Sequence, residues 1–268
     1  MSSQLPLALR WPAQQRFDSY VPGGNSVAVA LLHDAADSAR SPWVFLSGAA
    51  GSGKTHLLIA ACAQADAAGR SAQYLPLRRM HAGGTVAPRA ANRDIAGAPP
   101  ASHAETAGAL RASHPDVASA LRALGGSDLL ALDDIDAVAG DAPAEHALFD
   151  LYNRCKVEKA TMLFSAAAAP GQIGIGLPDL VSRLSACAQG VLKPLSDADR
   201  REALRQRAHA RGLTLDDAVL DWLFARTQRD LGSLTALLDR LDRESLAAQR
   251  RITVPFLRQL LGSETTGS

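Results

Sequence analysis

Val44-Phe45-Leu46-Ser47-Gly48-Ala49-Ala50-Gly51-Ser52-Gly53-Lys54-Thr55 decides how the rest of this chain is read. An apolar strand runs into a glycine-rich turn that ends in Lys-Thr, and helical periodicity follows. The glycines allow successive backbone N–H groups to turn inward around phosphates, Lys54 reaches the β/γ-phosphates, and the Thr55 hydroxyl holds Mg²⁺. Gly48, Gly51, Ser52, Gly53, Lys54 and Thr55 are therefore the expected nucleotide ligands. The loop alone does not separate ATP from ADP, nor fuel from switch.

Outward from the loop, Leu57, Leu58, Ala61 and Ala65 keep helical spacing up to Gly69, and Ala72 to Leu77 reads as the next strand. Ser26 to Ala36 reads as a helix before the loop. From 81 to 115 periodicity gives way to Ala, Gly, Pro and Ser, which predicts a flexible surface insertion. Its His81, His103 and His114 fit no metal spacing and read as solvated. Helices are expected at Val117–Leu124, Ala144–Val157 and Pro178–Ser185, and strands at Asp128–Leu132, Thr161–Ser165 and Gly190–Leu195. This alternation predicts a parallel sheet covered by helices on both faces.

Leu129-Leu130-Ala131-Leu132-Asp133-Asp134 is an apolar strand ending in paired carboxylates. A solvated turn ends strands in the same way. After a phosphate loop, however, the pair reads as Asp133 on the metal side, with Thr55, and Asp134 polarising water.

Beyond Pro194 the pattern is helical only. Ser196/Asp199 and Thr214/Asp217 look like capping boxes, Leu231, Leu234, Leu238 and Leu241 form an apolar stripe, and Thr253 with Pro255 opens a last helix. The expected organisation is an α/β class with an extended arm at 1–25 and a nucleotide domain at 26–195. A small all-helical domain at 196–262 and a disordered tail at 263–268 complete it. Arg200, Arg201, Arg205, Arg207 and Arg211 could form a basic ridge for an acidic partner or DNA, through the pairs Arg201/Arg205 and Arg207/Arg211, but among acidic neighbours they read as a solvated helix face.

Composition narrows the partners. The 268 residues are 47% hydrophobic, enough for a sizeable core, and the formal charge of +1 gives no global attraction to nucleic acid or membranes. Three cysteines without CxxC spacing argue against a disulfide or zinc framework. No basic-then-apolar leader and no spanning apolar run occurs, so a cytoplasmic protein is expected.

The chain resembles the AAA+ ATPases, and within them the DnaA-related branch that includes the Hda regulators. The resemblance rests on Arg16-Phe17-Asp18-Ser19-Tyr20-Val21-Pro22-Gly23-Gly24-Asn25 and on the phosphate loop followed by His56-Leu57-Leu58. It extends through Leu148 to Arg154, Gly176-Leu177-Pro178-Asp179-Leu180-Val181-Ser182-Arg183-Leu184, Pro194 to Asp197, and Ala247 to Phe256. It implies an AAA+ phosphate-loop domain, a parallel sheet flanked by helices, with a C-terminal helical lid.

The resemblance further implies a negative regulator of replication initiation that uses Arg183, in trans, to stimulate hydrolysis of ATP bound to DnaA. The chain ends soon after the lid, without room for a helix-turn-helix reader, so DNA is expected only indirectly. Gln4-Leu5-Pro6-Leu7-Ala8-Leu9 is similar to peptides that dock on the sliding clamp, with Gln4 as polar anchor and Leu5, Leu7 and Leu9 in an apolar groove. A homodimer is left open. Two departures stand out: Ala167 and Gly232 occupy places where the family has nucleotide-sensing polar residues, which implies weak hydrolysis by this subunit. A helicase-loader-like motor using Lys54, Asp133 and Asp134, or a scaffold with a vestigial site, are the alternatives.

Overall fold

The computed structural model describes residues 11–81, 89–90, 116–226, 255 and 258. Six strands form one sheet: β1 (Val44–Gly48), β2 (Ala72–Pro76), β3 (Arg89–Ala90), β4 (Leu129–Asp133), β5 (Thr161–Ala166) and β6 (Ala188–Leu192). Their spatial order is β3-β2-β4-β5-β1-β6. All neighbours pair in parallel except β3, which runs antiparallel to β2 at the edge.

Side chains of the central strands alternate between two cores, as a period of two requires. Phe45, Leu130, Leu132, Met162 and Phe164 join one core, while Val44, Leu46, Leu129, Ala131 and Leu163 join the other. The second core is closed by α1 (Ser26–Asp37) and α2 (Lys54–Ala67), the first by α4 (Val117–Ala123), α5 (Ala142–Glu158) and α6 (Pro178–Ser185). A short α3 (Leu77–His81) follows β2 directly. With both faces covered, the strands read as continuous apolar runs, which is why they were legible as strands at all.

A third cluster of Leu204, Ala208, Leu215, Val219, Leu220 and Leu223 joins α7 (Asp197–His209) to α8 (Asp217–Arg226). The capping box at the start of α7 forms as expected: Ser196 Oγ accepts from Asp199 N at 3.1 Å, and Ser196 N donates back to Asp199 Oδ2 at 3.3 Å. The cap of α8 differs. Asp216 Oδ1, not Thr214, accepts the Val219 amide at 2.8 Å, so the helix opens two residues later than the capping-box reading placed it.

Three further expectations are revised. The expected arm is not extended throughout its described part, residues 11–25. Trp11 is buried in the α1/α2 core, Phe17–Ser19 and Gly23–Asn25 are 3₁₀ turns, and Asn25 clamps the end of β6 by bonding both Lys193 N (2.8 Å) and Lys193 O (3.0 Å). The span 81–115 contributes β3, so it is not wholly an irregular insertion. Strand β6 starts at Ala188 and stops at Leu192, because it pairs with β1 from Val44 onward and Asn25 takes over at Lys193. The stripe from Leu231 to Leu241, the Thr253 cap and the tail 263–268 lie outside the described residues, although Pro255 and Arg258 are helical.

Candidate functional site

The loop after β1 reaches α2 through Gly51 and Gly53, whose φ values of +75° and +97° are left-handed. A side chain in that region costs about 1–2 kcal/mol. At Gly53 space also forbids one, since a Cβ would stand 2.7 Å from Tyr20 Cε2. Tyr20 lies across the loop and donates from its hydroxyl to Ser52 O at 3.3 Å. Lys54 is almost buried, its Nζ donating to Gly48 O (2.7 Å) and Ala49 O (3.1 Å), so the ammonium is held within the loop. Ser52 Oγ is buried and has no partner among the described residues. An orphaned hydroxyl costs about 1–3 kcal/mol, and a phosphate oxygen at the mouth of α2 is a ligand that relieves it.

Asp133 closes the site from below. It is 2% exposed, and its carboxylate collects three donors: Thr55 Oγ1 at 2.6 Å and Tyr74 Oη at 2.8 Å on one oxygen, and Ser165 Oγ on the other. Burial and the neighbouring Asp133 push the Tyr74 hydroxyl well above its ordinary value, so it remains a donor. One hydroxyl and one carboxylate suit Mg²⁺, which prefers few protein oxygens and shares phosphate oxygens. Thr55 and Asp133 are the residues that would hold it.

Asp134 differs from its neighbour. Its backbone is left-handed (φ 55°) at the start of the 3₁₀ turn Ile135–Val138, with its amide fixed on Ser165 Oγ at 2.9 Å. Its carboxylate meets Arg78 Nε at 3.2 Å, and the same guanidinium pairs with Asp136. Burial, then Asp133, raises the Asp134 pKa, while Arg78 pulls it back. The group therefore has the enhanced basicity a water-polarising carboxylate needs, and a cation that occupies it.

These parts border a cavity of about 1040 Å³, ample for a nucleotide. Gly51 to Thr55 form its floor, Tyr20 and Val21 one side, and Arg78, Arg79, Asp134 and Ala167 another. Ala167, one residue past β5, offers only a methyl group. The lid contributes Ala203, Arg207 and Arg211, which corrects the reading of all five lid arginines as a solvated face.

Arg183 lies outside this cavity. It sits on α6, its Cζ 4.7 Å from the centre of the Phe149 ring and 5.4 Å from that of Tyr152, without an ion pair among the described residues. Glu145 fixes the segment leading into α6. This carboxylate, 3% exposed, accepts amides from Gly140 (2.8 Å), Gly176 (3.0 Å) and Leu177 (2.9 Å). Sequence reasoning missed Glu145, Ser165 and Arg78, because each acts on residues about 30 or more positions away, apart from Glu145 with Gly140. Gln4, Leu5, Leu7, Leu9 and Gly232 lie outside the described residues.

Comparison with known proteins places this geometry. Residues 197–261 match the family model for the Hda lid domain. The fold superposes on domain III of the replication initiation protein DnaA from Thermotoga maritima with a TM-score of 0.70, at 19% identity, over 94% of this chain and 98% of that one. The lid region is thus similar to the Hda lid domain, and the fold is the one that DnaA domain III has. AMPPCP-bound DnaA from Aquifex aeolicus aligns with a TM-score of 0.62 at 17% identity, over 86% of this chain, which spans 65% of that longer one. The RuvB Holliday junction branch migration motor of Thermotoga maritima shares the fold at 15% identity and a TM-score of 0.57, over 90% and 68% of the two chains. No helix among the described residues is long and apolar enough to cross a membrane.

Proposed function

We propose that this protein is a nucleotide-bound negative regulator of replication initiation that stimulates hydrolysis of ATP held by DnaA, Arg183 being the group supplied in trans. The observation that carries the reading is the position of Arg183. It does not line its own cavity and rests on Phe149 and Tyr152 without a carboxylate partner among the described residues. Cation–π contacts at a partly exposed site are worth only about 0.5–1 kcal/mol each, so the guanidinium can exchange them for a neighbour's phosphoryl oxygens. There it would stabilise charge developing in the transition state, the effect that makes arginines supplied in trans powerful.

The chain's own cavity supports the same division of labour. Gly48 to Thr55 and Asp133 suit ATP or ADP with Mg²⁺, yet Ala167 presents no polar group to a γ-phosphate and Asp134 is engaged by Arg78. We read the bound nucleotide as a brace that sets the subunit's shape. Gln4, Leu5, Leu7 and Leu9 would dock on the sliding clamp, keeping the protein near replicated DNA.

A motor that hydrolyses its own ATP is the second reading, favoured by the raised basicity of Asp134 at the cavity wall. Labelled ATP preloaded on DnaA, with clamp-loaded DNA and this protein, separates the two. The proposal predicts faster loss of the DnaA-bound ATP and little turnover by the chain alone. Robust turnover alone, without effect on DnaA, would establish the motor instead.

A further inference from the structure

Residues 11–25 run along one wall of the cavity, which Gln14, Gln15, Ser19, Tyr20 and Val21 line. Pro12 and Pro22 lack the N–H that a regular helix or strand would use, so this segment has to be held by other bonds. Its two ends are fixed. Trp11 is buried in the core closed by α1 and α2, and Asn25 bonds both backbone groups of Lys193, just before α7.

Between these ends Arg16 acts as a knot. Its guanidinium gathers the carbonyls of the preceding turn, Nη1 donating to Pro12 O (2.7 Å) and Gln15 O (3.2 Å) and Nη2 to Trp11 O (3.1 Å). Its amide donates to Ser19 Oγ at 3.1 Å. Its own carbonyl accepts from His56 Nε2 at 2.9 Å, which fastens the turn to the first residues of α2, beside Thr55. One side chain therefore closes residues 11–16 on themselves, and one backbone group moors them to the helix that opens at the phosphate loop.

Tyr20 is what the knot places. Its amide donates to Phe17 O at 3.0 Å, and its ring lies 5.3 Å from that of His56. The bond from its hydroxyl to Ser52 O, at 3.3 Å, is longer than an ordinary O–H···O bond and holds the ring only weakly. The position of the ring over Ser52 and Gly53 thus depends on the backbone that Arg16 organises. A nucleotide on the phosphate loop shares the cavity with this wall. Where release needs the wall to open, its rate follows the population in which the wall is open.

We infer that Arg16 is a positioning residue for the nucleotide: it ties residues 11–20 into a strap that keeps Tyr20 over the phosphate loop, and so sets how long a nucleoside di- or triphosphate stays bound. The inference rests on the reading of this cavity as a nucleotide site.

The test follows dissociation of labelled ADP, with Mg²⁺, after a chase of excess unlabelled ADP. Arg16→Ala should speed release by about tenfold or more, the scale of one lost charge-assisted hydrogen bond. Tyr20→Ala should do the same, and the double variant should release no faster than the faster single one, because Arg16 acts through Tyr20. Arg16→Lys lacks the planar fork and should release ADP at a rate between those of the parent and Arg16→Ala, which carries the test should the alanine variant fail to fold. Arg70→Ala is the control. Its guanidinium gathers the carbonyls of Ala35 and Ala36 outside the cavity, so its loss should weaken the fold yet leave release at the parent rate. Release within twofold of the parent in both Arg16→Ala and Tyr20→Ala, with binding abolished in Lys54→Ala, would overturn the inference and leave the site standing. Fully additive effects in the double variant, or equal acceleration by Arg70→Ala, would overturn it too. Unchanged binding in Lys54→Ala would overturn both the site and the strap.

Discussion

Glu145→Gln is nearly isosteric, yet it should be among the costlier single-atom changes in this protein. The carboxylate is 3% exposed and receives three backbone amides: Gly140 N on Oε1, Leu177 N on Oε2, and Gly176 N shared between both. An amide has one acceptor oxygen. Whichever way it turns, at least one buried N–H faces another donor, costing about 1–3 kcal/mol, and the surviving bonds lose their charge assistance. A buried carboxylate is itself costly to desolvate, which argues the other way. Here three donors and the N-terminal turn of α5 already compensate the charge, so the donor mismatch decides the sign. We expect a loss of about 2–4 kcal/mol, a substantial part of the 5–15 kcal/mol typical of a domain.

In urea, with a slope of about 1–3 kcal/mol per molar, the midpoint should fall by roughly 1–2 M. Because Gly176 and Leu177 lead directly into α6, the variant should also stimulate hydrolysis of DnaA-bound ATP less than the parent under conditions where both are folded. A midpoint within about 0.3 M of the parent would refute the claim that these three bonds hold the segment before Arg183.

Other outcomes follow from the same contacts. His56 is neutral by burial, its Nε2–H donating to Arg16 O at 2.9 Å, and its pKa lies below the ordinary histidine value of 6.5. Between those two values the unfolded chain binds a proton that the native one does not, so stability should decline as pH falls below about 6.5. His56→Asn should flatten that slope in urea melts at pH 7.5 and 5.5, and an equally steep slope would contradict the assignment. Burial pushes the Cys155 and Cys187 thiols up to about 11, so iodoacetamide at pH 8 should label the native chain slowly and the urea-unfolded chain fast. Rapid native labelling would contradict their burial. Gln4→Ala with Leu5→Ala should abolish retention on immobilised sliding clamp while leaving ADP affinity intact; undiminished retention would remove the peptide from the account.

The sequence was most informative where local pattern and tertiary role coincide. Gly51 and Gly53 could be read because their positive φ is a demand of the loop itself, and Asp133 because a carboxylate closing an apolar strand buried on both faces stands out from the residues before it. The arm was misread for the opposite reason. Pro12, Pro22 and Gly23 do prevent a helix, but what Trp11 and Tyr20 pack against lies in α1, α2 and the phosphate loop, and no local period records that.

The lid arginines illustrate the same limit. On sequence, Arg205 and Arg207 are equivalent members of a charged helix. Only docking of α7 beside the loop sends one to Glu202 and Asp217 and the other into the cavity. Ser165 was hidden in an apolar strand, where its hydroxyl is silent until Asp133 and the Asp134 amide are seen on either side of it.

The central claim is that Arg183 acts on a nucleotide bound by another subunit, and single-turnover hydrolysis of ATP preloaded on DnaA tests it most directly. With clamp-loaded DNA and saturating protein, Arg183→Ala should fold, bind ADP like the parent, and lose stimulation by about a thousandfold or down to the unstimulated rate, the scale known for arginines supplied in trans. Arg183→Lys should recover little, since a point charge cannot replace the planar fork. Stimulation by Arg183→Ala equal to that of the parent would contradict the account.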